Sequence, residues 1–122
     1  MTLTPAAAKR AAEKYREEGY VIVKGFVPAE EVENLQAETR QHYEEGLKHP
    51  ATYRHGNLCF EILPEAEFGR RYVIQASWFS WISAYFEAFR RSERYRILLK
   101  PFIGRDVKQI VQQIHWKPPG AR

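Results

Sequence analysis

Helical and strand-like patterns alternate at the start of this chain, and the alternation constrains the fold more than any other feature. Residues 5–18 are rich in Ala, Lys and Glu, follow a Thr-Pro start signal and stop at Gly19, so they predict a helix. Residues 20–24 open with an apolar, mostly β-branched run, which favours a short buried strand. A second helix is predicted to open at Pro28 and to end at Gly46 and Pro50, with early glutamates that suit the positive end of a helix. Helices interleaved with strands predict an α+β fold.

The rest of the chain continues in the same way, with strand-like runs between helical stripes. Residues 48–57 have the composition of a loop. Residues 58–63 and 72–76 predict strands, and residues 106–117 predict a longer strand that stops at Pro-Pro-Gly. A helix capped by Ser92 is predicted to end near Gly104, because Pro101 distorts its last turn. A further helical stripe, interpreted as core, comprises Trp78, Trp81, Ile82, Tyr85 and Phe89.

Length and composition exclude several classes of protein. The chain has 122 residues, the size of one domain, and its 44% apolar and 28% charged content is typical of a globular protein. A net charge of +4 falls short of a nucleic-acid-binding composition, so no nucleic-acid partner is predicted. Aromatic residues make up 14%, enough to fill a substantial core. Disordered, collagenous and coiled-coil proteins are therefore excluded.

The single cysteine and the absence of a long apolar run favour the cytoplasm. Cys59 alone cannot form an internal disulfide or a four-cysteine zinc site, and its apolar strand predicts that it is buried. The first residues do not resemble a secretory signal, and no apolar run approaches the roughly 20 residues needed to span a bilayer. We therefore predict a cytoplasmic protein with no membrane partner.

The predicted sheet is incomplete. A strand as long as 106–117 needs neighbours on both sides, and only the three short strands can supply them. The sequence therefore predicts that the chain is the front part of a longer protein.

Three segments in order resemble the phytanoyl-CoA dioxygenase family. They are residues 15–32 (YREEGYVIVKGFVPAEEV), 98–107 (LLKPFIGRDV) and 113–120 (QIHWKPPG). The first is similar to the family's opening helix, strand and capped helix, and the second to its connection from a helix through Gly to a strand. The third, which is the most specific, resembles the strand that ends in a Lys-Pro-Pro-Gly element shortly before the family's metal site. Together they span most of the chain but match only the front of the family's domain.

The resemblance implies an enzyme that uses non-haem iron(II), 2-oxoglutarate and oxygen to hydroxylate a C–H bond of a small organic substrate. It also implies a double-stranded β-helix, a jelly-roll or cupin-like fold, with flanking helices. Iron in this family is held by His-x-Asp and a distant His, and residues two apart in a strand point to the same side. This chain has no His-x-Asp, since its only Asp, Asp106, has no His two residues before it. Residues 1–122 are thus expected to be the N-terminal portion of one such domain, without catalytic residues or iron ligands of their own.

The resemblance also implies three residues that contact the co-substrate. Lys117 matches the motif lysine, Gln113 a position that lines the co-substrate pocket, and Gln75 a position where some members carry a lysine for a 2-oxoglutarate carboxylate. Each has an ordinary alternative: a strand glutamine often pairs with a neighbouring polar group, and Lys117 can be a solvated residue at a strand end. His115 and Trp116 alternate, so one of the two is expected to face inward. The other histidines, His42, His49 and His55, are predicted at the surface or in a loop.

A basic segment supports a different function. Residues 90–108 contain seven Lys and Arg against Glu93 and Asp106, a local charge of +5. Such a segment could attract a phosphate-bearing partner and make the chain a non-catalytic binding domain. The ordinary alternative is a helix with its polar face in water. A third alternative is a scaffold fragment that folds poorly alone.

Overall fold

The computed structural model describes residues 3–120, which form two compact units. The helical unit comprises residues 3–33 and 88–109, and the sheet unit comprises residues 34–87 and 110–120. The helices and strands are α1 (Pro5–Glu18), α2 (Ala29–Leu47), β1 (Tyr53–His55), β2 (Leu58–Leu63), α3 (Glu65–Phe68), β3 (Tyr72–Ser77), a 3-10 turn (Phe79–Trp81), α4 (Ala84–Arg90), α5 (Glu93–Ile103) and β4 (Gln113–His115). This mixture of helices with an antiparallel sheet confirms the α+β prediction. No helix within residues 3–120 has both the length and the apolar character to cross a bilayer.

In the helical unit, α1 begins and ends where the sequence predicts. The Thr4 hydroxyl accepts a hydrogen bond from the Ala7 N–H at 3.2 Å and caps the first turn. Gly19 adopts a left-handed φ of 79° and closes the last turn by donating to the Tyr15 carbonyl. Ala8 and Ala12 are fully buried, which lets α1 pack closely on α5. The Tyr15 and Phe102 rings meet at 5.4 Å.

The predicted strand at residues 20–24 is wrong. These residues form no strand, and Ile22 is 73% exposed. The helical unit contains no strand that could pair with them, so their β propensity has no hydrogen-bonding partner.

The helix predicted between Ser92 and Gly104 is confirmed as α5, but the predicted cap by the Ser92 side chain is wrong. The helix starts after Ser92, although the Ser92 side chain makes no capping bond, and ends at Gly104 with φ 99°. Pro101 lies in its last turns, where the carbonyl accepts a hydrogen bond from Arg16 at 2.5 Å. Tyr95 on the inner face contacts the rings of Phe26 at 5.1 Å and Phe89 at 5.5 Å.

The sheet unit contains a four-stranded antiparallel sheet in the order β1-β2-β3-β4. The strands predicted at 58–63 and 72–76 are confirmed as β2 and β3, with β3 one residue longer. β1 lies within the segment predicted to be loop. It forms a hairpin with β2, and Gly56 supplies the positive φ of 58° that this tight turn requires.

The long strand predicted at 106–117 is wrong in its first half. Only Gln113–His115 forms a strand, and Ile110 is 82% exposed. Gln113 lies opposite Ser77, the last residue of β3, and Trp78 then leaves the sheet in a left-handed conformation at φ 53°. Because β3 ends there, residues 106–112 have no partner strand beside them.

The core of the sheet unit lies between the sheet and the helical segments that cover one of its faces. Its buried members are Leu58, Phe60, Ile62, Val73, Ala76, Phe79 and Phe86. Leu35, Tyr43 and Leu47 pack on this cluster from α2. The helix predicted to end at Gly46 and Pro50 runs through Gly46 and ends at Leu47, before Pro50. A Cβ at Gly46 would lie 2.8 Å from Val73 Cγ2 and 2.9 Å from Phe60 Cδ1, so glycine is required for the close approach of helix and sheet.

The predicted helical stripe from Trp78 to Phe89 is wrong in its first half. Trp81 and Ile82 are 62% and 48% exposed. Two side chains divide the segment: Gln112 Oε1 accepts from the Ser80 N–H at 3.0 Å, and Ser83 Oγ accepts from the Phe86 N–H at 3.1 Å. The Ser83 bond caps a separate helix, α4, and thereby interrupts the helical period.

Candidate functional site

One face of the sheet is polar, and this polar face is the candidate site. Antiparallel partners share a face, and residues alternate between faces along each strand. The register therefore gives two cross-strand rows on the polar face, Arg54-Cys59-Ser77-Gln113 and Glu61-Gln75-His115. The row between them, Tyr53-Phe60-Ala76-Ile114, lies on the opposite, apolar face.

Burial decreases across the polar face from its centre toward β4. Cys59 and Ser77 are buried, in agreement with the prediction for Cys59. Glu61 and Gln75 are half-buried, and Gln113 and His115 are exposed. Arg54 on β1 is exposed as well, so a ligand from solution can reach the polar face from the β4 edge and from the β1 edge.

Hydrogen bonds along each strand orient the polar side chains. The Gln75 amide donates to the Ser77 hydroxyl at 2.8 Å. Gln113 Oε1 and His115 Nε2 lie 3.3 Å apart, so a proton on Nε2 donates to the amide oxygen. That bond leaves the Gln113 amide N–H groups free to face a ligand.

The structure brings two of the three predicted co-substrate residues together. Gln75 and Gln113 lie on neighbouring strands and on the same face, in a diagonal relation that long side chains can bridge. Lys117 lies two residues beyond the end of β4 and is exposed. The Trp116 N–H donates to the Ile74 carbonyl at 2.9 Å, so the chain stays beside β3 until just before Lys117.

The structure shows which of His115 and Trp116 faces inward. Trp116 packs against the core, with its ring 5.4 Å from that of Tyr43, and His115 lies on the polar face. Arg54, Glu61 and Ser77, which were not predicted as site residues, also lie on that face. The sequence does contain a signal for Glu61. Cys59 and Glu61 alternate with the apolar Phe60 and Ile62 along β2, a pattern that puts Glu61 on the face opposite the core.

The polar face suits a carboxylate near β4. Amide N–H groups of Gln113 and the Lys117 ammonium can donate to a carboxylate, and the charge of the lysine strengthens such bonds. Glu61 brings a negative charge to the middle of the second row, where it disfavours a second anion. The residues present therefore fit one carboxylate of 2-oxoglutarate at the β4 side.

The residues do not fit an iron site. Within residues 3–120 no three His, Cys, Asp or Glu side chains converge to hold a metal ion. A His-x-Glu sequence does occur at His42 and Glu44, but it lies in α2, where residues two apart point in different directions. His42 is buried and Glu44 is exposed, so the two do not share a metal.

The surface prediction for His42 is wrong. His42 is 5% exposed, its Nδ1 donates to the Glu38 carbonyl at 2.8 Å, and its ring packs edge-on against Phe79 and Phe86. Its Nε2 has no hydrogen-bond partner within the described residues. His49 stacks on Tyr53 at 3.9 Å, and both act as packing groups at one end of the sheet.

Two arginines of the basic segment 90–108 are engaged in contacts within the helical unit. Arg94 is partly buried, pairs with the Glu31 carboxylate and donates to the Phe26 carbonyl at 3.3 Å. Arg90 donates to Gln109 at 3.3 Å. Burial raises the pKa of the adjacent Tyr95 phenol above its usual value of 10.0; the Arg94 charge opposes this rise and the Glu31 charge adds to it. Arg94 thus stabilises the helical unit and does not face a partner in solution.

No protein-family model, no curated protein and no solved structure matches the chain.

Proposed function

We propose that this chain forms the front part of an iron(II)/2-oxoglutarate dioxygenase domain with a double-stranded β-helix fold, as the resemblance of its three segments implies. The observation that carries the proposal is the polar face, on which Gln75 and Gln113 lie on neighbouring antiparallel strands. A sheet with one packed apolar face and one polar face supports the proposal, because barrels and jelly rolls of this type enclose their ligands against such a face.

In the proposed complex, the polar face binds one carboxylate of 2-oxoglutarate. Lys117 supplies the positive charge, and the Gln113 amide supplies hydrogen bonds that fix the carboxylate's orientation. Gln75 holds Ser77 by its 2.8 Å bond and adds a neutral polar contact at the centre of the face. Lys117 is the one cation that the proposal assigns to the β4 side, so the hold on the co-substrate there is weak.

When bound, 2-oxoglutarate would supply two of the four electrons that reduce O2, the substrate C–H bond would supply the other two, and the co-substrate would take up one oxygen atom and leave as succinate and carbon dioxide. The described residues provide no iron ligand set, so the proposal needs a His-x-Asp pair and a further His from outside residues 3–120. The role of the described residues is to bind and orient the co-substrate.

A binding experiment tests the proposal on the chain itself. 2-Oxoglutarate is titrated into the full chain and its affinity measured by calorimetry or chemical-shift changes. Lys117→Ala is expected to weaken binding about tenfold, because it removes the cation that pairs with the carboxylate. Lys108→Ala, another exposed lysine, is the matched control and is expected to change nothing. Equal affinities in the two variants would refute the assignment of Lys117.

The coding sequence provides a second, independent test. The proposal expects a His-x-Asp pair within a few tens of codons after Arg122, and a further His downstream. If neither occurs, the iron(II) dioxygenase assignment fails even if 2-oxoglutarate binds to the chain.

A further inference from the structure

A groove in the helical unit concentrates positive charge. It lies between the first turns of α1 and one stripe of α5, and its volume is about 530 Å³. Four cations line it: Lys9, Arg96, Lys100 and Arg105. Lys9 lies outside the basic segment 90–108. The fold therefore brings to the groove a cation that the segment alone does not contain.

The carboxylates near the groove do not neutralise it. Glu93, which itself lines the groove, pairs with Arg96 at 3.1 Å, and Asp106 lies 3.6 Å from Arg105, both in exposed positions. Four cations against these two carboxylates leave a charge of +2. Within residues 3–120, Lys9 and Lys100 have no ion-pair or hydrogen-bond partner. The first turn of α1 carries no acidic side chain that could compete for them.

Apolar side chains line the groove beside these ammonium groups. Ile97 and Pro101 of α5 are half-buried and flank Lys100, and Pro5 adds a third apolar surface from α1. The contacts that hold α1 on α5, the Tyr15–Phe102 ring pair and the Arg16 bond to the Pro101 carbonyl, fix both walls. The groove therefore has a charged subsite beside an apolar subsite, and the contacts between α1 and α5 hold both in place.

We propose that this groove binds a small organic phosphate, with the phosphate group between Lys9 and Lys100 and an attached apolar group against Ile97. The volume suits a small molecule. A long nucleic acid is disfavoured because two further arginines of the segment are engaged elsewhere: Arg94 pairs with Glu31, and Arg90 bonds to Gln109. The proposal concerns the helical unit alone and does not rest on the 2-oxoglutarate assignment.

The test compares two double variants of the full chain with phenyl phosphate as the probe. Lys9→Ala with Lys100→Ala is expected to weaken binding about tenfold or more, because both unpaired ammonium groups are lost. Lys24→Ala with Lys108→Ala removes the same charge from exposed positions of the helical unit outside the groove and is expected to leave binding within about twofold. Equal weakening in the two double variants, or no binding to the unmodified chain at millimolar phenyl phosphate, would overturn the proposal. Far-UV circular dichroism confirms that both variants are folded.

Two further arms identify the ligand chemistry. Inorganic phosphate is expected to bind more weakly than phenyl phosphate, and Ile97→Ala is expected to weaken only the phenyl phosphate complex. Equal affinity for the two phosphates would overturn the apolar subsite. A single-stranded oligonucleotide that binds more tightly than phenyl phosphate, and loses affinity equally in both double variants, would show a general basic surface and overturn the small-ligand assignment.

Discussion

The two units of this protein are stabilised in different ways. The sheet unit has a core of aliphatic and aromatic side chains in which Phe60 and Val73 are almost fully buried. In the helical unit the fully buried residues are small, Ala8 and Ala12, and larger groups such as Arg94 and Tyr95 are held by polar and ring contacts at partly exposed positions. The comparison shows that apolar burial dominates one unit and that charge-assisted contacts contribute more to the other.

The candidate surfaces follow the same division. The polar face of the sheet unit presents amide and imidazole groups that are positioned by strand register. The groove of the helical unit presents flexible ammonium and guanidinium groups from two helices. The first arrangement favours directional hydrogen bonds, and the second favours a salt-sensitive attraction to an anion.

The largest expected effect is at the centre of the sheet unit. Phe60→Ala is expected to lower the free energy of unfolding by about 3–5 kcal/mol, because it removes an aromatic ring from a site that is 1% exposed. Chemical denaturation measures the change. Ile22→Ala in the helical unit, at a site 73% exposed, is the control and is expected to change it by less than about 0.5 kcal/mol. Similar losses of unfolding free energy in both variants would contradict the claim that apolar burial dominates the stability of the sheet unit.

A smaller effect is expected from Gly46→Ala in α2. The added methyl group would gain about 1 kcal/mol in helix propensity. It would also meet the buried side chains of Val73 and Phe60 at under 3.0 Å, and overpacking of this kind costs about 1–3 kcal/mol. We expect net destabilisation, measured by thermal unfolding, whereas Glu44→Ala on the exposed side of α2 should have little effect. A more stable Gly46→Ala protein would show that the helix and sheet can separate without penalty.

The polar contacts of the helical unit are tested by a double-mutant cycle. The Arg94–Glu31 pair is partly buried, with side-chain exposures of 25% and 23%, and is expected to give a coupling energy of about 1 kcal/mol. Arg96–Glu93 is 76% and 63% exposed and is expected to give about 0.3 kcal/mol. Equal coupling in the two cycles would remove the distinction between an internal and a surface ion pair.

The smallest effect is a pH dependence from Tyr95. Burial raises the pKa of its phenol in the folded state, so the stabilisation is fully present below about pH 10 and is lost as the pH rises through the folded pKa. Tyr95→Phe is therefore expected to flatten the decline in unfolding free energy above about pH 10. Tyr20→Phe, at a site 60% exposed, is expected to keep the decline of the unmodified chain. An unchanged pH profile in Tyr95→Phe would contradict the burial of the phenol.

Local signals predicted the helices of the helical unit well. Thr4 and Gly19 mark the two ends of α1 through contacts with residues only a few positions away. Such contacts can be recognised from the sequence. The same unit shows the limit of propensity, because the β-branched residues 20–24 have no strand beside them. A strand requires a partner, and the partner is a property of the whole chain.

Long-range contacts explain most of the errors in the sheet unit. Gln112 bonds to Trp78 and Ser80 across more than thirty positions and helps to end both the predicted helix and the predicted long strand. The diagonal placement of Gln75 and Gln113 depends on the β3–β4 register, which the sequence alone does not give. The residue types of the polar face were visible in the sequence, but their arrangement in rows was not.

The most direct test of the account is a residue-by-residue map of 2-oxoglutarate binding by nuclear magnetic resonance on the full chain. We expect the largest amide and side-chain shift changes at Gln75, Gln113, His115 and Lys117, in the sheet unit, and small changes at the groove residues Lys9 and Lys100. Changes centred on the groove, or no saturable change anywhere on the polar face, would contradict the proposed co-substrate site.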